Sequence, residues 1–403
     1  MRVLQNISRE TLTIYCLLLL FIGLFFSKFL LTVSMIGLAA IGLLRPDIFN
    51  LLKQVRQHKA FWVLTGVFFV MLLGGLHSQN VAYFLERMRI KLPFLLLPLA
   101  FIGLPKLSAR QLNGLFYFFL LLLSVTSIGV LINYLFEYQT SNEKIRIGQA
   151  ITTPINHIRY SLLTAIGIWI GFRLWFNRYS WKFSWEPYLI RALTVFLIVF
   201  IHVLSVRSGL LALYASCVVL LSVHILVNKK ILLGVLGLAG VVLLPIIAYQ
   251  FLPSFRTKVR LTKHNIDVYQ RGEIGDYSDT QRLVSYQIAL KAANESPVIG
   301  FGTGDVRDII EATYTKHRPE LPKQKLPHNQ FLFVLVSVGW LGLIGFTSCF
   351  FAPLFINKGY LDWLLLSIYT IVACSFLVEA TLETAIGTAF SLVFLLMVLK
   401  WRS

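Results

Sequence analysis

The dominant pattern along the chain is a succession of apolar runs separated by short polar segments. A transmembrane helix needs roughly 20 apolar residues to cross a bilayer, and runs of about this length recur along nearly the whole sequence. We predict twelve spans, at residues 11–26, 29–44, 60–77, 92–104, 112–136, 160–177, 190–205, 210–227, 231–252, 329–350, 361–379 and 385–400. The predicted fold is therefore an all-α polytopic membrane protein with about twelve transmembrane helices.

Composition agrees with this interpretation. Of the 403 residues, 57% are hydrophobic and only 14% are charged, and the mean hydropathy of +0.74 exceeds what a soluble domain can solvate. The four cysteines all lie in apolar stretches, where thiols behave as small buried hydrophobes, so no disulfide framework is predicted. No small-residue cleavage site follows the first apolar run, which we interpret as a retained span and not as a signal peptide.

The distribution of positive charge predicts the orientation. The net charge is +19 from 37 basic residues, and membrane proteins concentrate Lys and Arg in cytoplasmic loops. With a cytoplasmic N-terminus, 17 of them face the cytoplasm, including Arg45, Lys53 and Lys230, whereas short outer loops carry 8 and one long loop carries 12. This pattern predicts cytoplasmic termini and no nucleic-acid partner. Residues 1–252 then hold nine helices, residues 253–327 form a periplasmic loop, and residues 328–403 hold three helices.

The long loop is predicted to contain two short helices. Residues 278–297 begin with the cap-type residues Ser278 and Asp279 and end at a proline, and residues 304–319 repeat this arrangement with Asp305 as the cap. Between them lies "VIGFGTG", which lacks the Lys and the Ser or Thr of a phosphate-binding P-loop. We interpret it as a tight turn.

The segment "LPKQKLPHNQFLFVLVSVGW" places His328 directly before the tenth span, with Asn329 as a plausible helix cap. In one interpretation the imidazole is a polar group that solvates a helix mouth. In the other, the positive potential at a helix N-terminus keeps the ring neutral and able to accept a proton. His328 is thus the candidate general base.

Two arginines are candidates for binding a phosphate. Arg207 lies in "VLSVRSGLLALY", a turn so short that its guanidinium must remain near the membrane surface; it either snorkels to lipid headgroups or captures an anionic lipid group. Arg282 lies at the beginning of the first predicted loop helix. It either binds a phosphate or is a solvated surface charge. The topology places Arg207, Arg282 and His328 on the same side of the membrane.

Charged residues in two other outer segments are possible accessory groups. Arg87, Arg89 and Lys91 form a basic cluster against the positive-inside bias, which hints at an anionic ligand. Glu379 and Glu383 are four residues apart and could share a helix face. They could ligate a metal or orient an acceptor hydroxyl, but a wet helix mouth is the favoured interpretation and no His lies at ligand spacing.

Several motifs in this order resemble the O-antigen ligase and polymerase superfamily of bacterial envelope enzymes. They are "SVRSG", then "SDTQR" and "PVIGFGTG" in the large loop, and finally "HNQFLFVLVSVGWLGLIG". The resemblance implies a glycosyltransferase that needs no metal or other cofactor and takes a glycan from undecaprenyl diphosphate. It also implies diphosphate-binding roles for Arg207 and Arg282 and a catalytic role for His328. Many members read Ser-Arg-Gly at the first arginine, whereas this chain reads Val-Arg-Ser-Gly.

The predicted function is transfer of a glycan to a lipid A core acceptor at the outer face of the bacterial inner membrane. Polymerisation, with a second lipid-linked glycan as acceptor, and transfer to a protein are alternatives that the sequence leaves open. A transporter is the alternative from another class, since about twelve spans is also typical of transporters. The expected partners are the lipid-linked donor, the acceptor and membrane lipids.

Overall fold

The computed structural model describes residues 8–44, 55–229, 231–271, 278–320 and 325–401. Within these ranges the chain is helical and contains no β-strand, so the predicted all-α fold is confirmed. Three of the basic residues assigned to the cytoplasmic side, Arg45, Lys53 and Lys230, lie outside the described residues. The side chains of Ser278 and Asp279, which were predicted to cap a helix, also lie outside them.

Sixteen α-helices organise the described chain. The first eight are α1 (Arg9–Phe26), α2 (Lys28–Leu43), α3 (Lys59–Leu73), α4 (Val81–Gly103), α5 (Ala109–Phe136), α6 (Tyr138–Arg146), α7 (His157–Phe176) and α8 (Glu186–Leu204). The others are α9 (Arg207–Asn228), α10 (Ile231–Phe251), α11 (Pro253–Gln270), α12 (Ser278–Glu295), α13 (Val306–His317), α14 (Gln330–Phe355), α15 (Trp363–Val378) and α16 (Ala385–Trp401). Short 3₁₀ helices cover Gly74–His77, Ile356–Leu361 and Thr381–Glu383.

Each of the twelve predicted spans overlaps one of these helices. Among the described residues, seven helices are long and apolar enough to cross a membrane, and α2, α15 and α16 are shorter apolar helices. The largest difference is at α4, which begins at Val81 and not at residue 92. The count of twelve membrane crossings stays a prediction.

Polar residues at the predicted boundaries begin several of the helices. The Ser27 hydroxyl accepts a hydrogen bond from the Leu30 N–H at 3.3 Å at the start of α2, and Ser108 forms a capping box at the start of α5. Such caps satisfy backbone N–H groups that have no partner within the helix. Local sequence therefore fixes where these apolar segments begin.

Within residues 253–271, 278–320 and 325–327, the described parts of the long loop, there are three helices and not two. Helices α12 and α13 match the two predicted segments, but α11 was not predicted because Pro253 was interpreted as the end of the preceding span. Proline at the first position of a helix is well tolerated, since the N–H that it lacks would have no intrahelical partner there. The helix α11 is amphipathic and rich in basic residues.

Asp305 connects this loop to α4. It precedes α13 as predicted, but its side chain makes no capping hydrogen bond to that helix. Its carboxylate oxygens instead accept hydrogen bonds from the backbone N–H groups of Gln79 and Asn80, both at 2.8 Å. The loop is thereby held at the N-terminal end of α4.

The described chain divides into two compact units. The first comprises Met1–Lys106, Gln281–Gly359 and Ser375–Ser403. In this unit α14 packs on α3, α3 and α2 pack on α4, and α16 packs on α4. Phenylalanine rings join α14 to the end of α15: the Phe376 ring centroid lies 4.9 Å from that of Phe350 and 5.8 Å from that of Phe331.

The second unit comprises Leu107–Thr280 and Tyr360–Cys374. Helix α7 packs on α5, α8 and α9, and α10 packs on α9 and α11. The Tyr160 side chain is fully buried, and its hydroxyl lies 3.0 Å from each of the Ser127 and Thr126 hydroxyls. This unit contains Arg207, at the first position of α9.

Candidate functional site

His328 lies directly before the first turn of α14, at the position that the sequence predicted. Asn329 caps the helix, since its side-chain oxygen accepts a hydrogen bond from the Leu332 N–H at 3.1 Å. Asn329 and the following residue Gln330 are buried, whereas His328 is half-buried. The imidazole therefore lies at the partly exposed N-terminal end of α14, next to residues that are packed in the interior.

The backbone at His328 is held by residues of α12 and by the end of α15. The Tyr286 hydroxyl lies 2.9 Å from the His328 carbonyl oxygen and 2.7 Å from that of Leu377. The Asn329 amide donates to the same Leu377 carbonyl at 3.2 Å, and Ser285 Oγ accepts from the His328 N–H at 3.5 Å. Tyr286 was not among the predicted site residues.

Two cations act electrostatically on the His328 side chain. Burial, followed by the positive charges of Arg282 and Lys325, lowers the pKa of the His328 imidazole from its usual 6.5 to about 4. The Lys325 ammonium also donates to the Gln281 side chain. The ring is therefore neutral at pH 7 because of burial and neighbouring positive charge. A contribution from the helix potential, which the sequence suggested, stays a prediction.

The structure thus brings together two of the three principal candidate residues, His328 and Arg282, and adds Lys325 as a second cation. Arg282 lies on α12 and is half-buried; Lys325 was not singled out because a lysine in a proline-rich segment reads as a solvated charge. A neutral imidazole beside two cations can accept a proton from a hydroxyl while the cations attract an anionic group.

Arg207 belongs to the second unit. Helix α8 ends at Leu204 and is followed by Ser205, which has a left-handed backbone with φ of +53°, and Arg207 is the first residue of α9. Ser254, at the start of α11, holds this turn in place. Its hydroxyl donates to the Val203 carbonyl at 2.8 Å and lies 3.3 Å from the Ser205 hydroxyl. The predicted short turn is confirmed, and Arg207 is half-buried. Its grouping with Arg282 and His328 stays a prediction.

The predicted basic cluster on α4 divides between two faces of the helix. Residues four apart share a helix face, so Arg87 and Lys91 both point inwards and are buried, whereas Arg89 is exposed. Arg87 and Lys91 approach the carboxylate of Glu383, at 3.6 and 2.7 Å respectively. The three residues therefore do not form one exposed surface, because Arg87 and Lys91 each have Glu383 as an internal counterion. An accessory role for Arg87 and Arg89 stays a prediction.

The expectation that Glu379 and Glu383 share a helix face is also wrong. Helix α15 ends at Val378, and Glu383 lies in the following 3₁₀ helix. The Glu383 carboxylate accepts hydrogen bonds from Lys91 and from the Gln330 amide. Binding a metal through Glu383 would have to displace these donors, and an accessory role for Glu379 remains a prediction.

The glycine-rich stretch forms the tight turn that was predicted, and it packs into a break in α14. We call residues 297–304 the glycine turn. Helix α14 is interrupted at Gly339, where φ is +63°. The Gly302 N–H donates to the Ser337 carbonyl at 2.8 Å, and the Trp340 N–H donates to the carbonyl of the first residue of the turn, also at 2.8 Å. The turn thus satisfies backbone groups that the break leaves open.

Comparison with known families agrees with the motifs. Residues 192–347 match the family model described as O-antigen ligase, and this stretch contains Arg207, Arg282 and His328. A search of curated proteins gave no match. The predicted resemblance to the O-antigen ligase superfamily is thus confirmed over residues 192–347.

Proposed function

We propose that the protein transfers a glycan from undecaprenyl diphosphate to a lipid A core acceptor at the periplasmic face of the bacterial inner membrane. The family match supports a ligase or polymerase, and apolar helices long enough to cross a bilayer support an integral membrane protein. The observation that carries the proposal is the half-buried His328, kept neutral beside Arg282 and Lys325.

In the proposed reaction, an acceptor hydroxyl attacks C1 of the donor sugar while the C1–O bond to the diphosphate breaks. The hydroxyl proton passes to a ring nitrogen of His328, and undecaprenyl diphosphate leaves with the bonding electron pair. General base catalysis of this kind contributes typically about 10²–10⁴-fold. One C1–O bond breaks and another forms, so the reaction needs no oxidant, reductant or nucleotide.

The arginines would stabilise the leaving group. Negative charge builds on the diphosphate as the glycosidic bond breaks, and guanidinium groups bind phosphate oxygens through two parallel hydrogen bonds. We assign this role to Arg282 and Arg207. Fixed cations in a partly dry site stabilise developing charge without reorganisation. In this proposal they act in place of a metal, and a chelator is expected to leave turnover unchanged.

Donor binding would also tune the base. Arg282 and Lys325 disfavour the imidazolium form in the unliganded protein, and a diphosphate carries negative charge that opposes this effect. The pKa of His328 is then expected to rise towards neutrality when the donor is bound, and a base with a pKa near the operating pH is the more effective catalyst.

The test uses purified protein in lipid, an undecaprenyl-diphosphate glycan and lipid A core. The expected result is product with the wild type and with His264→Ala, which alters an exposed histidine of α11, and none with His328→Ala. If the wild type lengthens the donor without using lipid A core, the polymerase alternative replaces the ligase. If no mixture changes the donor, glycosyl transfer is wrong and transport must be tested.

A further inference from the structure

Beneath the helix mouth lies a buried cluster of polar side chains, formed by Lys91, Glu383 and Gln330. Lys91 and Gln330 are fully buried and Glu383 is 7% exposed. The Lys91 ammonium donates to both carboxylate oxygens of Glu383, at 2.8 and 2.7 Å. The Gln330 amide donates to one of these oxygens at 3.1 Å. Lys91 and Gln330, which are distant in sequence, thus donate to one carboxylate.

A buried ion pair contributes little net stability to helix packing, because its charges must be desolvated. Removing two charges from water can cost more than their attraction returns, and an apolar pair of similar volume is often as stable. Lys91 lies ten residues after Val81 along α4, which at 1.5 Å per residue is about 15 Å from the start of the helix. Ionisable residues at such depth in membrane proteins usually mark functional regions.

The cluster is linked to the His328 segment by hydrogen bonds. Gln330, two residues after His328, accepts a hydrogen bond from the Leu382 N–H at 2.8 Å while its amide donates to Glu383. Asn329 and Tyr286 make the corresponding links to the carbonyl of Leu377, as described above. Residues 328–330 are therefore attached in succession to the last turn of α15 and to the segment that follows it.

Glu383 is itself fixed from two directions. Arg87 donates to its backbone carbonyl at 3.1 Å, and Lys91, one helical turn further along α4, holds its side chain. The Glu383 backbone and carboxylate are thus both anchored to α4. This leaves Gln330 with a rigid partner, and rigid partners are what fix a catalytic group within a fraction of an ångström.

We infer that Lys91, Glu383 and Gln330 are positioning residues that fix the start of α14 and thereby the orientation of His328. The inference rests on the proposed function, because it assigns the cluster a role in that reaction. Lys91 acts through Glu383, Glu383 acts through Gln330, and none of the three has to touch the substrate.

The first test variant is Gln330→Met, which keeps the length of the side chain and leaves the Lys91–Glu383 pair intact. A matched control is Lys316→Met/Glu295→Gln, which removes an exposed ion pair of 3.2 Å in the same unit. Amide hydrogen exchange reports how firmly the start of α14 is held, and steady-state kinetics reports how well the base is placed. Both are measured on the full chain in lipid.

The expected result for Gln330→Met is faster exchange in residues 326–332 and a kcat at least about 10-fold lower, with the donor KM within about 2-fold of wild type. The control should change neither quantity. A structural role alone would speed exchange throughout the unit and leave the kcat of the folded protein unchanged. That outcome, or wild-type exchange at residues 326–332, would overturn the inference.

A second variant covers the case in which Gln330→Met does not fold. Lys91→Met/Glu383→Gln removes both charges of the pair, and the buried Arg87 keeps its ion pair with Glu86 and its hydrogen bond to the backbone carbonyl of residue 383. The same local increase in exchange and fall in kcat are expected, and wild-type values of either overturn the inference. If the wild type itself makes no product, the proposed function fails while the exchange comparison still tests whether the cluster holds residues 326–332.

Discussion

At the residue scale, the protonation state of His328 depends on charges from two different segments. Arg282 comes from α12 and Lys325 from the chain before α14, and both lower the pKa of the imidazole. Only the neutral ring can accept a proton, so activity should require a pH above the pKa. The pKa of about 4 predicts a base that stays functional at mildly acidic pH.

This predicts the pH dependence of kcat/KM, which reports ionisations of the free enzyme. In the wild type, kcat/KM should stay level down to about pH 5 and fall only as the pH approaches 4. Lys325→Gln removes a positive charge that lowers the pKa, so the pKa should rise and the fall should begin at higher pH. The exposed Lys316→Gln serves as control. A wild-type fall centred near 6.5, or a shift of the variant to lower pH, would contradict this account.

Arg207 allows a test of geometry at constant charge. Arg207→Lys keeps one positive charge but loses the planar fork that binds two phosphate oxygens. Loss of one such transition-state contact typically costs about 100-fold or more in rate, and we expect a loss of this size with normal membrane insertion. Arg146→Lys, at an exposed position of α6, should be silent. Wild-type activity of Arg207→Lys would refute a bidentate phosphate contact.

At the element scale, the break in α14 and the glycine turn form one packing unit. A Cβ atom at Gly339 would lie 2.3 Å from the carbonyl carbon and oxygen of Val298, closer than real contacts allow. The positive φ adds a second penalty for any residue with a side chain, of about 1–3 kcal/mol. The turn can therefore pack against α14 only if position 339 has no Cβ.

Gly339→Ala should lower the thermal unfolding temperature of the purified protein clearly, since steric overlap and backbone strain act together. Gly129→Ala is the matched control: this glycine lies within α5, and a Cβ there would meet no atom within 4 Å. Alanine is the better helix former by up to about 1 kcal/mol, so the control should be neutral or slightly stabilising. Equal effects of both substitutions would show that the break is not constrained as described.

The same element shows what sequence could and could not predict. The glycines of the turn and the start of α14 at Asn329 follow from local chemistry, and both were predicted. The break at Gly339 was not, because a glycine in an apolar run is usually tolerated within a helix. Likewise, the pairing of Lys91 with Glu383 joins residues almost 300 positions apart, and no periodicity in the sequence encodes which distant charges meet.

At the scale of the whole molecule, the first unit separates the chain termini from the site. Arg9, at the start of α1, donates to the Gly103 carbonyl at 3.3 Å, and Lys400, at the end of α16, donates to the Ile102 carbonyl at 2.9 Å. Both ends of the described chain therefore meet the C-terminal end of α4. The N-terminal half of α4 instead holds Asp305 and, through Glu383, the His328 segment.

The length of α4 turns this arrangement into a prediction of topology. Its 23 residues span about 35 Å at 1.5 Å per residue, which is comparable to a hydrocarbon core of about 30 Å. We therefore expect the termini and His328 to face opposite compartments. The concentration of positive charge on the side of the termini predicts that the termini face the cytoplasm and that His328 faces the periplasm.

Thiol labelling can test both statements in a variant whose four native cysteines are replaced. Glu320 follows α13 in the long loop, and Lys106 follows the C-terminal end of α4, which both ends of the described chain contact. Both positions are exposed. In sealed spheroplasts, a membrane-impermeant maleimide should label Glu320→Cys at once and Lys106→Cys only after permeabilisation. The opposite pattern would reverse the orientation and place His328 in the cytoplasm, where a donor in the outer leaflet could not reach it. Labelling of both positions in sealed cells would show that α4 does not separate two compartments.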